Sequence, residues 1–239
     1  MTNAHRLDRL FSPASVAVVG ASAKPGYGRR TVDTLRQMGF EGQVVAVHPS
    51  GAGPEGVETY RDLRDLPFVP DAVVVAIPAA GVPDVVRAAA RIGAGGVVAF
   101  ASGFRESGAE GRQLEQDLRA AAGDRIPVLG PNCLGLVNYR TGAALWGIEA
   151  PRHQQPRGGS VAIVSQSGAM LITTLLSGRI PDVAYAASVG NQAVLDVNDC
   201  VEYLLTDPAV RVIGLIVEGI ADLARFRALA VRAQEQSVT

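Results

Sequence analysis

Apolar and polar positions fall in blocks along this chain, and the period changes from block to block. Unbroken apolar runs at Val16–Gly20, Gln43–Val47, Ala72–Ile77, Gly96–Ala101 and Pro127–Leu129 each predict a short buried strand. Arg29–Met38, Val82–Ile92 and Ala109–Ala122 lie between them with helical spacing. A strand that is apolar on both faces must be covered on both faces. Strand–helix alternation of this kind therefore predicts a parallel sheet with helices on either side. Pro49–Asp71 breaks the rhythm. It is rich in Gly and Pro and is expected to be an irregular excursion with one short helix.

Glu149–Gly159 is polar and rich in Pro, Gly and Gln, and reads as a linker. The alternation then restarts, with strands expected at Ser160–Val164, Ala184–Val189 and Val210–Val217. Each is followed by a helix, at Ser167–Arg179, Asp196–Leu205 and Asp222–Gln236. Val197, Cys200, Val201 and Leu204 share one face of the second of these helices, as a core stripe should. The expected division is a first domain at 1–148, a linker at 149–159 and a second domain at 160–239. Three βα pairs make a small sheet, and a further strand would follow the last helix. The second domain is therefore expected to be truncated.

Composition narrows the function classes. The 239 residues are 48% hydrophobic and 19% charged, which suits a globular protein with a substantial core. A net charge of -1 and the lack of any basic run give no field for nucleic acid or an anionic membrane. No apolar stretch approaches the roughly 20 residues that span a bilayer. Cys133 and Cys200 cannot form a disulfide framework and lack metal-ligand spacing, so a reducing cytoplasm is the default expectation.

The candidate chemistry sits at strand ends. Gly20-Ala21-Ser22-Ala23-Lys24-Pro25-Gly26-Tyr27-Gly28 joins the first strand to the first helix, where backbone N–H groups and a helix N-terminus can receive a phosphorylated ligand. The ligand is not expected to be NAD. The glycine spacing differs from Gly-x-Gly-x-x-Gly. The second strand ends in His48-Pro49-Ser50, where a ribose-binding acid would stand. Ser102-Gly103-Phe104 and Pro131-Asn132-Cys133 follow later strands, at the sheet edge that ligands favour. Ser165-Gln166-Ser167-Gly168 joins a strand to a helix and can cap that helix or hold an anion. Gly190-Asn191 and Glu218 also end strands. Ser165–Gly168 lacks the leading glycine of a nucleophile elbow, so a serine hydrolase is disfavoured.

The ordered set of segments carries a family resemblance. Val16–Ser22, His48-Pro49, Ser102–Glu106, Gly130–Asn138, Ser165–Gly168, Gly190-Asn191, Asp207-Pro208 and Val217–Gly219 occur in this order. Together they resemble the α-type portion of NDP-forming acyl-CoA synthetases, the ADP-forming acetate–CoA ligases related to succinyl-CoA synthetase. The resemblance implies a Rossmann-like CoA-binding domain followed by a flavodoxin-like domain that takes part in phosphoryl transfer through a phosphohistidine.

The same resemblance implies roles for the residues. Gly20, Ala21, Ser22, Gly28, Pro49, Ser102, Gly103, Phe104, Pro131, Asn132 and Cys133 would line the coenzyme A path. Cys133 would lie near the thiol end without a catalytic role. Ser165, Gln166, Ser167, Gly168, Gly190 and Asn191 would shape the phosphate site, and Glu218 would pair with the phosphohistidine. Glu106 reads as a helix-start or surface carboxylate. Where relatives read Asn-Pro-Lys, this chain has His48-Pro49-Ser50, and Arg29 or Arg30 are the candidates to compensate for the lysine.

None of His5, His48 and His153 matches the phosphohistidine context, and no ATP-grasp portion is present. ATP, ADP and magnesium would therefore enter only through an ATP-grasp domain or β-type subunit, in a homo- or hetero-oligomer. The partners implied are CoA or acyl-CoA and a small carboxylic acid. Two readings stay open: part of an acid–CoA ligase, or a non-catalytic CoA or acyl-CoA sensor or regulatory module. A dinucleotide-dependent oxidoreductase is the disfavoured third.

Overall fold

The computed structural model describes residues 6–151 and 158–239. His5, His153 and most of the expected linker lie outside the described residues. The first half runs α1 (Asp8–Phe11), β1 (Ser15–Val19), α2 (Tyr27–Gln37), β2 (Gln43–Val47), β3 (Thr59–Tyr60), β4 (Ala72–Val75), α3 (Val82–Ile92), β5 (Gly96–Ala99), α4 (Ala109–Ala122) and β6 (Val128–Leu129). These strands form one parallel sheet in the order β3-β2-β1-β4-β5-β6. The order reverses between β1 and β4. That switch opens a crevice at the carboxyl ends of the strands, where doubly wound sheets hold their ligands.

The predicted α/β alternation is present, with two instructive differences. β1, β4 and β5 stop one or two residues before their apolar runs do. The residues left over, among them Ala76, Ile77, Phe100 and Ala101, turn out of the sheet and line a cavity. The excursion at 49–71 contains the two-residue strand β3 as well as a single 3-10 turn at Leu63–Asp65, capped by Asp62. β3 pairs with the end of β2, Ala46 opposite Thr59.

The second half runs β7 (Gly135–Asn138), β8 (Ala143–Trp146), β9 (Val161–Ser165), α5 (Gly168–Leu176), β10 (Val183–Ser188), α6 (Val197–Leu204), β11 (Val212–Ile216) and α7 (Leu223–Glu235). Its sheet is ordered β11-β9-β10-β7-β8. β9 pairs parallel with β10 and β11, while β7 is antiparallel to both β10 and β8. The β7–β8 hairpin is not predicted by the sequence pattern. It precedes residue 148 yet belongs to the second sheet, so the expected boundary divides the sequence without dividing the sheets. Gly-Leu-Val-Asn and Ala-Ala-Leu-Trp are buried at every position and show no alternation to read. After α7 the backbone returns beside β11, where Thr239 donates to the Arg211 carbonyl and accepts from the Ile213 N–H.

Several contacts fasten the halves together. Thr31 on α2 donates to the Trp146 carbonyl at 3.1 Å, and Thr34 to that of Ile148 at 3.3 Å. Leu10 and Phe11 of α1 are fully buried. The Phe11 ring lies 4.4 Å from that of Tyr203 on α6, and Asn138 of β7 donates to the Phe11 carbonyl at 3.0 Å. Backbone N–H groups of Asn191, Ala193 and Leu195 donate to Pro131, Gly130 and Val128, so this segment runs back along the end of β6. No helix among the described residues is long and apolar enough to cross a membrane.

Because Phe11 packs against the second half from the first, Phe11→Ala is expected to lower unfolding free energy by about 3–5 kcal/mol. Denaturant titration followed by fluorescence and by circular dichroism checks this. Both signals should shift together; a shift in only one would show that α1 does not couple the halves.

Candidate functional site

Strand ends from both sheets face each other across a cavity of about 1150 Å³. The first half supplies Phe100–Ser102 and Asn132–Leu134. The second supplies Gln166–Ala169, Gly190, Asn191 and Glu218. Nine of the predicted site residues are thus brought together: Ser102, Asn132, Cys133, Gln166, Ser167, Gly168, Gly190, Asn191 and Glu218. Tyr27, Arg105 and Arg112 also line it and were not anticipated as site residues.

A polar clasp builds this cavity. The buried Asn191 side chain donates to Glu106 at 2.5 Å and to Glu115 at 3.2 Å, and accepts from Asn132 at 3.3 Å. Glu106 also accepts from the N–H groups of Gly103 at 2.6 Å and Phe104 at 3.1 Å. Burial pushes its carboxyl up. The Asn191 amide and the Gly103 and Phe104 N–H groups outweigh that and leave it below the usual carboxylate range. Glu115 is nearly buried and is held by Arg119 at 2.9 Å. Glu106 does stand in the 3-10 turn Arg105–Ser107 and is exposed, as expected, but its carboxylate is also engaged. It ties the loop after β5 to the turn after β10. Gly190 permits the close packing of that turn on the one after β6: its φ is +53°, and a Cβ there would stand 2.3 Å from the Pro131 carbonyl.

The second sheet presents its own tie. Gln166 accepts from the N–H groups of Glu218 and Gly219, and donates to the Gly219 carbonyl at 2.5 Å. One amide side chain thus fixes the backbone that carries the exposed Glu218. Ser167 caps α5 by accepting from the Met170 N–H at 3.3 Å.

A second cavity, of about 620 Å³, lies along the ends of β1, β2 and β4 and meets the first at Ala76, Ile77 and Pro78. Gly20, His48 and Pro49 line it, with Arg61, Arg64, Arg87 and Arg91 around an apolar floor that includes Val19, Ile77 and Val85. A family model described as a CoA binding domain matches residues 14–139, the half of the chain that contains this groove.

The chain belongs to the CoA-binding domain family. A second model, a succinyl-CoA ligase like flavodoxin domain, matches residues 158–238 of the same chain. A trans-feruloyl-CoA synthase from an unknown prokaryotic organism is 38% identical over 95% of this chain and 33% of its own length. The α subunit of acetate–CoA ligase [ADP-forming] I from Pyrococcus furiosus is 35% identical over 94% of this chain and 49% of its own. The apo structure of a dinucleotide forming acetyl-coenzyme A synthetase 1 from Ca. Korarchaeum cryptofilum superposes with a TM-score of 0.87 at 32% identity, covering 96% of this chain and 50% of that one. The chain thus spans about a third to a half of the relatives it matches. It joins a CoA-binding domain to a flavodoxin-like one, as the sequence resemblance implies.

Several predicted site residues of both domains line neither cavity. Phe104 is fully buried in the core and offers only its N–H, which Glu106 occupies along with that of Gly103. Ala21 is fully buried, and Ser22 accepts from the Lys24 N–H within its own turn. Gly28 packs α2 onto that turn, since a Cβ would meet the Ala21 backbone at 2.8 Å. Pro131 gives its carbonyl to Asn191. The Ser165 hydroxyl is buried and spends both its bonds on the Ser167 backbone. Arg29 pairs with Asp33 at 2.9 Å, one turn along α2, and lines neither cavity.

Cys133 lines the first cavity but is nearly buried, and donates to the Ala99 carbonyl at 3.4 Å. Burial pushes its thiol up to about 12. At pH 8 the thiolate, the reactive form, is then on the order of one part in ten thousand. Iodoacetamide at pH 8 is expected to leave Cys133 unmodified in the native protein and to alkylate it after denaturation; mass spectrometry checks this, and rapid native labelling would contradict the burial.

The depressed Glu106 carboxyl makes a pH prediction. A carboxylate that ionises more readily folded than unfolded stabilises the fold above its unfolded value, and this contribution is lost as pH falls through the folded value. Stability should thus decline as pH falls below about 4.5, near the ordinary glutamate value. In Glu106→Gln that part of the decline should vanish. Urea midpoints measured from pH 6 to pH 3 test it, and parallel curves for the two proteins would refute it.

Proposed function

We propose that this chain is the CoA-binding portion of an NDP-forming acid–CoA ligase, which interconverts acyl-CoA, NDP and phosphate with the free acid, CoA and NTP. A phosphohistidine and an ATP-grasp unit supplied from outside these residues would carry phosphate to the nucleotide. The observation that supports this best is the junction at Ala76–Pro78, where an arginine-lined groove with an apolar floor meets a polar chamber bearing Glu218. A ligand with a phosphorylated nucleotide at one end and a reactive group at the other suits two such spaces. Coenzyme A has that form.

Within this reading the groove takes the nucleotide, and the chamber takes the thioester end. Asn132 and Ser102 offer polar groups to the ligand there, and Cys133 supplies a neutral wall. Ser167, Gly168 and the first N–H groups of α5 favour a phosphoryl group, through unpaired donors and the helix dipole. Glu218, fixed by Gln166, would accept a hydrogen bond from an imidazole and stabilise its cationic form. Residues 1–148 and 160–239 would divide the labour as binding and transfer domains. Both cysteines of the sequence are unpaired and buried, which suits a reducing cytoplasm.

Calorimetry with CoA, acetyl-CoA and NADH tests the binding claim. CoA and acetyl-CoA should bind and NADH should not; retention of NADH with CoA ignored would overturn it. With an ATP-grasp partner and labelled ATP, Glu218→Gln is expected to keep CoA affinity and lose phosphoryl transfer. Full transfer by that variant would remove Glu218 from the reaction.

A further inference from the structure

The groove at the end of β2 carries a feature that the CoA reading alone does not require. In parallel sheets of this winding, the residue after the second strand reads the ribose of a bound nucleotide. An acid there takes free hydroxyls, and an arginine nearby accommodates a phosphate ester. No acid stands there in this chain: the turn is His48-Pro49-Ser50-Gly51. Its hydroxyl is committed internally, because Ser50 bonds the His48 ring at 2.7 Å and accepts from the Ala52 N–H at 3.1 Å.

Arg61 is delivered to that turn by β3. The Tyr60 carbonyl accepts from the His48 N–H at 2.9 Å, which aligns the end of β3 with the end of β2. The next residue, Arg61, donates through Nη1 to the Pro49 carbonyl at 3.2 Å. Its guanidinium also stands against Gly51, with Nε 3.5 Å from where a Cβ would sit. The charges around the groove leave this cation in excess. Arg64 pairs with Asp62 at 2.7 Å, and Arg87 pairs with Asp84. Neither Arg61 nor Arg91 has a carboxylate partner among the described residues.

We propose that Arg61 is the specificity residue for a phosphate on the ligand's ribose, so that this chain selects CoA over its 3′-dephospho form. The assignment rests on the CoA reading above. A guanidinium with donors left after one carbonyl contact can bind a phosphate through two parallel N–H groups. Arg61 directly follows β3, the strand next to β2, outside the glycine turn and the helix that follows it. Arg29, in that helix, is paired away.

Calorimetry on the whole chain, with CoA and 3′-dephospho-CoA as probes, tests this. Wild type should bind CoA about 10-fold or more tightly than dephospho-CoA, the scale of one charge-assisted phosphate contact. Arg61→Gln should weaken CoA to the level of dephospho-CoA and leave dephospho-CoA unchanged. Arg61→Lys should restore part of the difference, and Arg232→Gln on the far helix α7 should leave it intact. Equal wild-type affinity for the two probes would overturn the assignment while the CoA reading stands. Equal weakening of both probes by Arg61→Gln would also overturn it, since Arg61 would then only support the turn at Pro49. If wild type binds neither probe, the CoA reading fails and this assignment with it.

Discussion

The site depends on one amide, that of Asn191, buried between two carboxylates and a second amide from the opposite half. A buried polar side chain is costly unless its bonds are made. Asn191 makes them only when Glu106, Glu115 and Asn132 converge on it. That requirement sets the distance between the carboxyl edges of the two sheets, and the cavity is the space that remains. The backbone bonds from 191–195 to 128–131 run alongside and hold the same register. Bonds shared across the halves in this way make the chamber a property of neither sheet alone.

The apolar strands contribute by where they stop. Ala76, Ile77, Phe100 and Ala101 are as hydrophobic as the residues before them, and a reading by pattern extends the strands through them. The ladder ends sooner: β4 pairs with β1 as far as Val75 opposite Val19, the Ala76 and Phe100 N–H groups make one last bond each to the Val19 and Val75 carbonyls, and regular pairing stops there. The freed residues give the cavities their apolar surface and the shared ridge at Ala76–Pro78. The same kinds of residue that close the core elsewhere thus become cavity lining at the strand ends, without any change of residue type.

This explains which parts of the molecule were legible beforehand. Helices α3 and α4 match their predicted bounds, because amphipathic spacing is local and each is closed by a glycine. The turns at strand ends could be placed, since the topology puts every carboxyl edge on one side. The hairpin β7–β8 was hidden because all eight of its residues are buried and no alternation survives. Glu106, Glu115 and Arg61 were hidden for a different reason. A charged residue in a loop or on a helix reads as solvated until the fold shows what it meets. Phe104 and Ser165 erred in the opposite direction. Ser165 is the last residue of β9, where successive side chains point to opposite sides, so it turns inward while Gln166 lines the cavity. Phe104 lies beyond β5 in the loop before a 3-10 turn, and its large apolar ring goes into the core.

The two cavities differ in how complete they are within this chain. The groove gathers its apolar floor and its arginines from the ends of β1 and β2, the segment after β3, the segment after β4 and α3, all in the first half. The chamber takes its walls from both halves, and the second half's wall ends in Glu218, which is exposed. A carboxylate in water interacts with a charge about 4 Å away by only about 1 kcal/mol, and several-fold more strongly once water is excluded. Gln166 fixes the position of the Glu218 backbone beforehand, at the edge of the sheet. The strength of the carboxylate's interaction with any nearby charge then depends on how much water stays at that edge. The arginines of the groove are thus positioned within this chain, whereas the Glu218 carboxylate stands at an open edge in contact with water.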